Sequence, residues 1–226
     1  MATICALYLT ALELAQAGVY IVSSDEKTGI QALERKHPSR PMIAGKVELS
    51  EFEYIRHGTL ALIASFDVAT GRIITASVGP TRKEEDFADH IEAVIASEPK
   101  AGWIFIVDQL NTHKSETLVR LVAQHCGLET ELGEKGKSGI LQSMPSRAAF
   151  LSDPGHRIRF VYTPKHTSWL NQIEIWFSIL VRKVLRRGSF RSTAELQQRV
   201  EAFIAYFNET MARAFKWTYK GRPLQA

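Results

Sequence analysis

The segment of residues 160–178 constrains the fold most strongly, because it joins a short strand directly to an apolar helix. Residues 160–163 have the composition of a short strand, and Pro164 ends it. After a polar turn, a helix is predicted to begin near Trp169, and the acid inside its apolar run is Glu174. A carboxylate that follows a strand and lies beside a buried helix face is a candidate metal ligand, provided that other acids lie nearby.

The predicted helix has one apolar face. Its members recur at spacings of three and four residues: Trp169, Ile173, Trp176 and Leu180. We therefore expect Trp169 and Trp176 to be core residues rather than platforms for stacked bases. Glu174 lies off this face, on the same side as Asn171 and Ser178.

Length, charge and cysteine content exclude several classes of protein. The chain has 226 residues, of which 45% are hydrophobic, so it is long enough for one domain with a full core. Its formal net charge of +4 permits a polyanionic partner. The two cysteines, Cys5 and Cys126, are far apart, which excludes a disulfide framework and a zinc site and is typical of a reducing, cytoplasmic setting. No apolar run reaches the roughly 18 residues of a membrane span.

Hydrophobic periodicity predicts the order of helices and strands. Helices are expected at 3–17, 83–97, 115–124, 168–187 and 193–213, and strands at 19–24, 59–67, 72–78, 103–107 and 157–163, with a further short strand at 52–56. The polar residues 27–50 are predicted to form a surface loop, and residues 57–58 a turn. Residues 127–150 are polar and punctuated by glycine, so we expect an inserted loop there, with a short helix near 147–151.

This order predicts an α/β fold. Strands that alternate with helices in the second half of the chain favour parallel pairing, whereas the early hairpins favour antiparallel pairing. The sum is a mixed five-stranded sheet with helices on both faces. We expect an N-terminal helix at 1–18, a core at 19–190 and a C-terminal helix and tail at 191–226 packed on that core.

Three acids are candidates for one site. Asp25 and Asp108 each end a buried apolar strand, and the helix after the last strand could bring Glu174 to the same sheet edge. Carboxylate oxygens suit Mg²⁺ or Mn²⁺, and two such ions about 4 Å apart can clamp the oxygens of a phosphoryl transfer. The alternatives are ordinary: an aspartate at a strand end is often a turn former, Glu26 is an equally available neighbour, and Glu174 could be a surface residue.

The segments around these acids resemble the catalytic motifs of IS630-type transposases, in the wider IS630/Tc1/mariner superfamily. The most specific is TPKHTSWLNQIE at 163–174. SSDEKTGIQ at 23–31 and VDQLNTH at 107–113 are similar to the first and second motifs, and YIRHGT at 54–59 to a further signature. The resemblance covers nearly the whole chain, to the tail WTYKG at 217–221.

The resemblance implies a ribonuclease H-like core and a DDE triad of Asp25, Asp108 and Glu174 that holds two Mg²⁺ or Mn²⁺ ions. It implies cleavage and joining of double-stranded DNA at transposon terminal inverted repeats, with insertion at TA-containing targets. A homodimer and a cytoplasmic, nucleoid-associated location in a bacterium are further expectations, and a membrane partner is not expected.

The sequence departs from the family pattern at three points. Gln109 stands where an asparagine usually follows the second aspartate, and the insertion at 127–150 lengthens the gap before the third acid. Only one predicted helix precedes the first strand, whereas relatives usually carry helix-turn-helix domains there. Two alternatives therefore stay open: a truncated, non-catalytic remnant that binds DNA or a partner transposase, and a nuclease that hydrolyses RNA–DNA hybrids.

Several cations are candidates for contact with DNA phosphates. Residues 182–191 hold five Lys or Arg and no acid, and we expect phosphate contacts from four of them: Arg182, Lys183, Arg186 and Arg187. A solvated basic face is the alternative. Lys165 and His166 border the predicted triad, and His113 follows Asp108 by five residues, so each could touch a phosphate or have a structural role. Arg56 could equally pack at a turn, and Asn171 is a further site candidate beside Glu174.

Overall fold

The computed structural model describes residues 1–38, 40–49 and 51–219. Its centre is a sheet of five strands in the order β3-β2-β1-β4-β5. The strands are β1 (Val19–Arg35), β2 (Tyr54–Asp67), β3 (Ile73–Gly79), β4 (Gly102–Val107) and β5 (Ile158–Tyr162). β2 pairs antiparallel with β1 and with β3, whereas β4 pairs parallel with β1 and with β5. The predicted mixed five-stranded sheet is confirmed.

Helices cover both faces of this sheet, as predicted. They are α1 (Ala2–Gln16), α2 (Glu84–Ser97), α3 (Glu116–His125), α4 (Met144–Leu151), α5 (Ile173–Leu180) and α6 (Thr193–Thr210). Apolar residues of α2, α3 and α4 share one buried cluster with the sheet. Those of α5 and α6 pack on β1, β2 and β3, and those of α1 on β1 and β4. None of the helices in the described ranges is long and apolar enough to cross a membrane.

The central strand is far longer than expected, so the predicted loop at 27–50 is wrong for residues 27–35. This part of β1 pairs with β2, for example Leu33 with Arg56. β2 is also continuous through the predicted turn at His57, because Gly58 adopts a φ of +129° inside the strand. A Cβ on Gly58 would lie 2.9 Å from Cγ2 of Thr193, so the glycine permits a close approach of α6. Within this extension, buried Ile30 and Ala32 flank exposed Gln31, so the alternation of a half-buried strand is present but only three residues long.

The predicted helix at 168–187 is divided into three parts. A 3₁₀ turn at Ser168–Leu170 precedes α5, and a π-helical turn at Val181–Leu185 follows it. Trp176 is fully buried, as expected. The prediction that Trp169 is a core residue is wrong: its side chain is 52% exposed and meets Tyr219 edge-on at 5.2 Å between ring centroids. Trp169 belongs to the turn, which does not share the apolar face of α5.

The short helix predicted near 147–151 within the inserted segment at 127–150 is confirmed, but it begins earlier, at Met144. A 3₁₀ turn at Ile140–Gln142 leads into α4, which is anchored by Arg147. The buried Arg147 guanidinium donates to the carbonyl oxygens of Leu141 at 2.9 Å and Lys114 at 2.7 Å. The insertion is therefore fixed to the segment that follows β4 rather than looped out.

Residues 211–219 follow α6 and return across the sheet. The Phe215 ring stacks on Phe66 with centroids 4.9 Å apart, and the Trp217 ring lies 4.8 Å from that of Tyr8. The two ends of the described chain therefore meet on one face. The predicted tail at 220–226 lies outside the described residues, and the boundaries at 18 and 190 stay predictions.

Candidate active site

The strand register brings Asp25 and Asp108 together. Parallel pairing of β1 with β4 ends at Ser23 opposite Ile106, and each aspartate lies two residues further along its strand. Paired strands run about 4.8 Å apart, and side chains two residues apart point to the same face. Burial and the negative charge of Asp108 raise the pKa of Asp25 to about 7. The two carboxylates therefore lie side by side at the carboxyl edge of the sheet.

Asp25 is held by hydrogen bonds on both oxygens. Its Oδ1 accepts from the backbone N–H of Glu26 at 2.8 Å, and its Oδ2 accepts from Nδ2 of Asn171 at 3.2 Å. The residue is only 6% exposed, so its orientation is set by these partners rather than by water.

Asn171 connects the start of α5 to β1. Its buried Nδ2 also donates to the carbonyl oxygen of Ser24 at 3.0 Å, and its Oδ1 accepts from the Ser23 hydroxyl. The same hydroxyl oxygen accepts from the backbone N–H of Ile173 at 2.9 Å. Asn171, which the sequence analysis named as a further site candidate, thus fixes the position of α5 against β1.

Glu174, the third acid predicted for the site, lies in the first turn of α5. Burial raises its pKa, the positive charge of Lys27 opposes this, and the negative charge of Asp108 adds to it. Glu174 is therefore within electrostatic reach of both Asp108 and Lys27. The sequence analysis did not identify Lys27 as a site residue, because only the course of β1 brings it beside α5.

Asp108 is oriented by a buried histidine. Nδ1 of His113 lies 2.8 Å from Oδ1 of Asp108, and its Nε2 lies 3.2 Å from Oε2 of Glu26. Burial alone would lower the pKa of His113, but the contacts with these two carboxylates outweigh it and raise the pKa to about 9. Burial alone would raise the pKa of Asp108, but hydrogen bonds from His113 and from the Leu110 N–H hold it below its ordinary value.

The prediction that His113 could contact a phosphate is wrong. Its side chain is fully buried, and its ring lies 4.3 Å from that of Phe87. Glu26, whose side chain is 2% exposed, is the site residue that sequence reasoning named only as an alternative to Asp25. Strand alternation places it on the opposite face of β1 from Asp25, and nothing in the sequence pairs it with His113.

The acids of this cluster fit divalent cations. Among the described residues, the group whose potential ligand atoms all lie within 4.8 Å of one another is Asp25, Glu26 and His113. His113 is unsuited to ligation, because a protonated imidazole has no free lone pair. Asp25, Asp108 and Glu174 instead offer carboxylate oxygens, which are the ligands that Mg²⁺ and Mn²⁺ prefer.

Cations surround the acids on the side of β5. Asp108 lines a cavity of about 230 Å³ together with Lys165 and His166, both of which are exposed. His166 has a φ of +63°, a conformation that is uncommon outside glycine and is found at functional sites. Lys114, which the sequence analysis did not identify, donates to Oε1 of Gln109 at 2.5 Å. Phosphate contacts by Lys165 and His166 stay predictions.

The basic segment after α5 is exposed. Its four candidate cations have no carboxylate within 4.0 Å among the described residues: Arg182, Lys183, Arg186 and Arg187. Lys183 and Arg187 line a groove of about 360 Å³ with Arg199 of α6, whereas Arg186 lines a different one. Arg56 is exposed and pairs with Leu33, roughly 26 Å along β1 from Asp25. DNA contacts by these residues stay predictions.

Solved structures with a similar fold are those of Mos1 transposase. The chain matches a Mos1 paired-end complex with the left transposon end with a TM-score of 0.54 and 13% identity, over 90% of this chain and 53% of that one. It matches the catalytic domain of Mos1 mariner transposase with a TM-score of 0.52 and 11% identity, over 90% and 78%. A structure of that domain with Raltegravir and Mg gives 0.51 and 12%, over 90% and 80%.

These likenesses show the fold, which is the ribonuclease H-like fold of a transposase catalytic domain, as the sequence resemblance implied. The chain spans about half the length of the Mos1 chain in the paired-end complex. No curated protein matches it significantly in sequence. The family profile described as "DDE superfamily endonuclease" matches residues 20–197, from the start of β1 into α6. Since this match covers more than half of the 226 residues, the chain belongs to the family of DDE superfamily endonucleases.

Proposed function

We propose that the chain is the catalytic domain of an IS630-type transposase, which cuts and joins DNA with two Mg²⁺ or Mn²⁺ ions. The observation that carries the proposal is the junction of β1, β4 and α5, where Asp25 and Asp108 lie side by side and Asn171 fastens the helix that bears Glu174. The motif at 163–174 supports the IS630 assignment, and family membership supports nuclease chemistry.

Three residues of the proposed site would hold the ions: Asp25, Asp108 and Glu174. Burial, with the negative charge of Asp108 adding to it, raises the pKa of Asp25 and of Glu174, and a bound cation would favour their ionised forms. When bound, the ions supply Lewis-acid stabilisation of the attacking and leaving oxygens of a phosphodiester. His113 is fully buried and contacts Asp108 at 2.8 Å, so it favours the deprotonated form of Asp108 and would orient that carboxylate.

The other groups of the proposed site position the substrate. Lys165 and His166 line the cavity beside Asp108 and would bind the phosphate next to the cleaved bond. Water attacks in the cleavage step and a DNA 3′-hydroxyl in the joining step, so neither step needs a nucleophilic side chain.

The partners are proposals that rest on the family. One Mos1 structure is a paired-end complex with a transposon end, and another is a pre-cleavage transpososome. For this chain, we propose double-stranded DNA with terminal inverted repeats, a TA-containing target and a second copy of the chain. The basic segment at 182–187 would contact DNA phosphates outside the acid cluster.

Nicking of supercoiled DNA tests the function. The purified protein is incubated with Mn²⁺ or Mg²⁺, and relaxed and linear products are quantified. We expect metal-dependent nicking and a rise in melting temperature on addition of Mn²⁺ alone. Glu174→Gln should lose both while melting at nearly the same temperature as the wild type without metal, because Glu174 is half-exposed at the edge of the fold.

Two results would contradict the proposal. A wild-type protein without nicking and without a metal-induced shift in melting temperature would fit the non-catalytic remnant. Efficient hydrolysis of an RNA–DNA hybrid without cleavage of double-stranded DNA would fit the nuclease alternative. Retention of nicking by Glu174→Gln would mean that the third acid is wrongly assigned.

A further inference from the structure

Two backbone irregularities face each other beside the acid cluster. In β1, the register with β2 shifts between Lys27 and Ile30, where Gly29 adopts a φ of +67°. After α5, Val181–Leu185 form a π-helical turn, in which the Arg186 N–H donates to the Val181 carbonyl oxygen at 2.8 Å. β-bulges and π-turns both interrupt regular hydrogen bonding, and both are concentrated at functional sites.

A groove of about 390 Å³ lies between these two irregularities. Its aliphatic wall comes from both sides, with Ile30 and Leu33 from β1 and Val181 and Leu185 from the π-turn. A Cβ added to Gly29 would have no atom within 4 Å, so the groove is open on the side of the bulge. A cavity of this volume fits a small ligand and is too small for a double helix.

The groove carries positive charge at its rim. Lys27 lines it, two residues after Asp25 on β1. Arg186 also lines it and is exposed. Neither cation has a carboxylate within 4.0 Å among the described residues. The groove therefore runs from the acid cluster to a free arginine, and it is suited to an anion.

The π-turn is the reason that Arg186 faces this groove. In an uninterrupted α-helix, the 12 residues from Glu174 to Arg186 would rotate the arginine by about 120° from the glutamate. The extra residue of a π-turn removes about 100° of that rotation. Arg186 is thereby returned to within about 20° of the side of α5 that carries Glu174.

We propose that this groove binds one unpaired nucleotide of the DNA strand that leaves the acid cluster. The base would lie on the aliphatic wall of Ile30, Leu33, Val181 and Leu185, and the flanking phosphates would meet Lys27 and Arg186. The occupant follows from the groove's chemistry, since a base presents a flat face to apolar side chains while its backbone carries the negative charge. The inference rests on the proposed function, because it assigns the groove to the same DNA.

Binding of DNA with and without a single-stranded extension tests the groove. Affinities are measured by fluorescence anisotropy without metal, for a blunt duplex, for the same duplex with a three-nucleotide extension, and for an abasic extension. We expect the wild type to bind the extended duplex about tenfold more tightly than the blunt one, because one face of the base leaves water for the aliphatic wall, with the preference lost for the abasic extension.

Two variants fill the groove without touching the acids. Leu185→Trp fills it from the π-turn, and Gln31→Trp from an exposed position on β1, so one remains informative if the other folds poorly. In both variants, the ratio of the affinity for the extended duplex to that for the blunt duplex should fall to about one, while the affinity for the blunt duplex is kept. Lys100→Ala is the matched control, because it removes an exposed cation just before β4, at the opposite end of the sheet, and should keep the preference.

The outcomes separate the two proposals. If the wild type shows no preference, or if both tryptophan variants retain it, the groove proposal is overturned, while metal-dependent nicking by the same preparation keeps the proposed function intact. Absence of nicking by the wild type would overturn the proposed function whether or not the extended duplex binds more tightly. The two results are independent because the binding measurement uses no metal.

Discussion

Two histidines of this fold are equally buried but differ in charge. His90 is 1% exposed, and its ring nitrogens lie 2.8 Å from the Ser65 hydroxyl and 2.9 Å from the Ser77 hydroxyl. Burial lowers its pKa to about 3, so the ring is neutral. His113 is fully buried between Asp108 and Glu26, which raise its pKa to about 9 against the effect of burial. Its ring is charged at neutral pH.

The partners of each buried histidine therefore decide its charge. A hydroxyl can donate or accept, so Ser65 and Ser77 satisfy a neutral ring with one N–H. A carboxylate can only accept, so His113 can offer an N–H to both Asp108 and Glu26 only as imidazolium, which has two. The neutral network continues from Ser65 to the Ser24 hydroxyl at 2.7 Å, next to Asp25. The charged network is therefore the one that contains Asp108, whereas the network that ends at Ser24 is neutral.

Asp108→Asn should have the largest effect. It removes a carboxylate from both the acid cluster and the His113 pair, so metal-dependent nicking should fall by at least about a thousandfold, or about 4 kcal/mol in barrier height. The pKa of His113, followed by NMR of the metal-free protein, should fall because one of its two carboxylates is lost. Asp89→Asn, at an exposed position on α2, is the control and should leave both unchanged. An unchanged His113 pKa would refute the charged pair.

His113→Gln should destabilise the fold more than His90→Gln. The first substitution leaves Asp108 and Glu26 without their shared cation, and breaking a buried ion pair costs about 3–5 kcal/mol. The second leaves two hydroxyls imperfectly paired, which costs about 1–3 kcal/mol. Urea unfolding at pH 7 compares the two free energies. Equal losses would mean that the charge of His113 has no energetic consequence.

Because His90 is neutral, the free energy of unfolding should decrease in acid. Because the pKa of His90 is about 3 in the folded chain and near 6.5 when unfolded, its neutral form contributes stability above pH 6.5. That contribution is lost as pH falls from 6.5 towards 3, by about 1 kcal/mol per pH unit. The advantage of the wild type over His90→Gln in urea unfolding should therefore shrink between pH 7 and pH 5. A constant difference would contradict the neutral assignment.

Ser65→Ala should have the smallest effect. It removes the hydroxyl that joins Ser24 to His90, and the loss of one buried partner costs about 1–2 kcal/mol of unfolding free energy. Nicking by the folded variant should equal that of the wild type, because the network carries no charge to the acids. A loss of nicking greater than about tenfold, which corresponds to 1.4 kcal/mol, would show that the two networks are coupled.

The sheet and the order of the helices could be predicted because the spacing of apolar residues reflects which positions are buried. Strands at 59–67 and 103–107 were visible as apolar runs, and Asp25 and Asp108 follow from where such runs end. The hairpin extension at 27–35 could not be predicted, since its backbone pairs while many of its side chains face solvent. The π-turn at Val181–Leu185 has no sequence signal either, because its apolar spacing also fits an α-helix.

The sequence singles out the three acids of the candidate site, but not most of the residues that position them. Asp25, Asp108 and Glu174 stand out because each is an acid next to an apolar run. The partners of these acids are ordinary residues whose roles depend on register. Asn171 and Ser23 are 148 residues apart, and Glu26 and His113 meet only because β1 and β4 are neighbours. No local pattern can specify contacts of that range.

The bonds between β1 and the start of α5 also determine when the site can exist. A ribosome adds roughly 5–20 residues per second, so Ser23 waits roughly 7–30 s for its partner Asn171. β4 is made before residue 171, so late in that interval β1 can pair with β4 while α5 is still missing. A nascent chain that ends before residue 171 carries both aspartates and no site. Biosynthesis itself therefore delays the assembly of the acid cluster until Glu174 has been made.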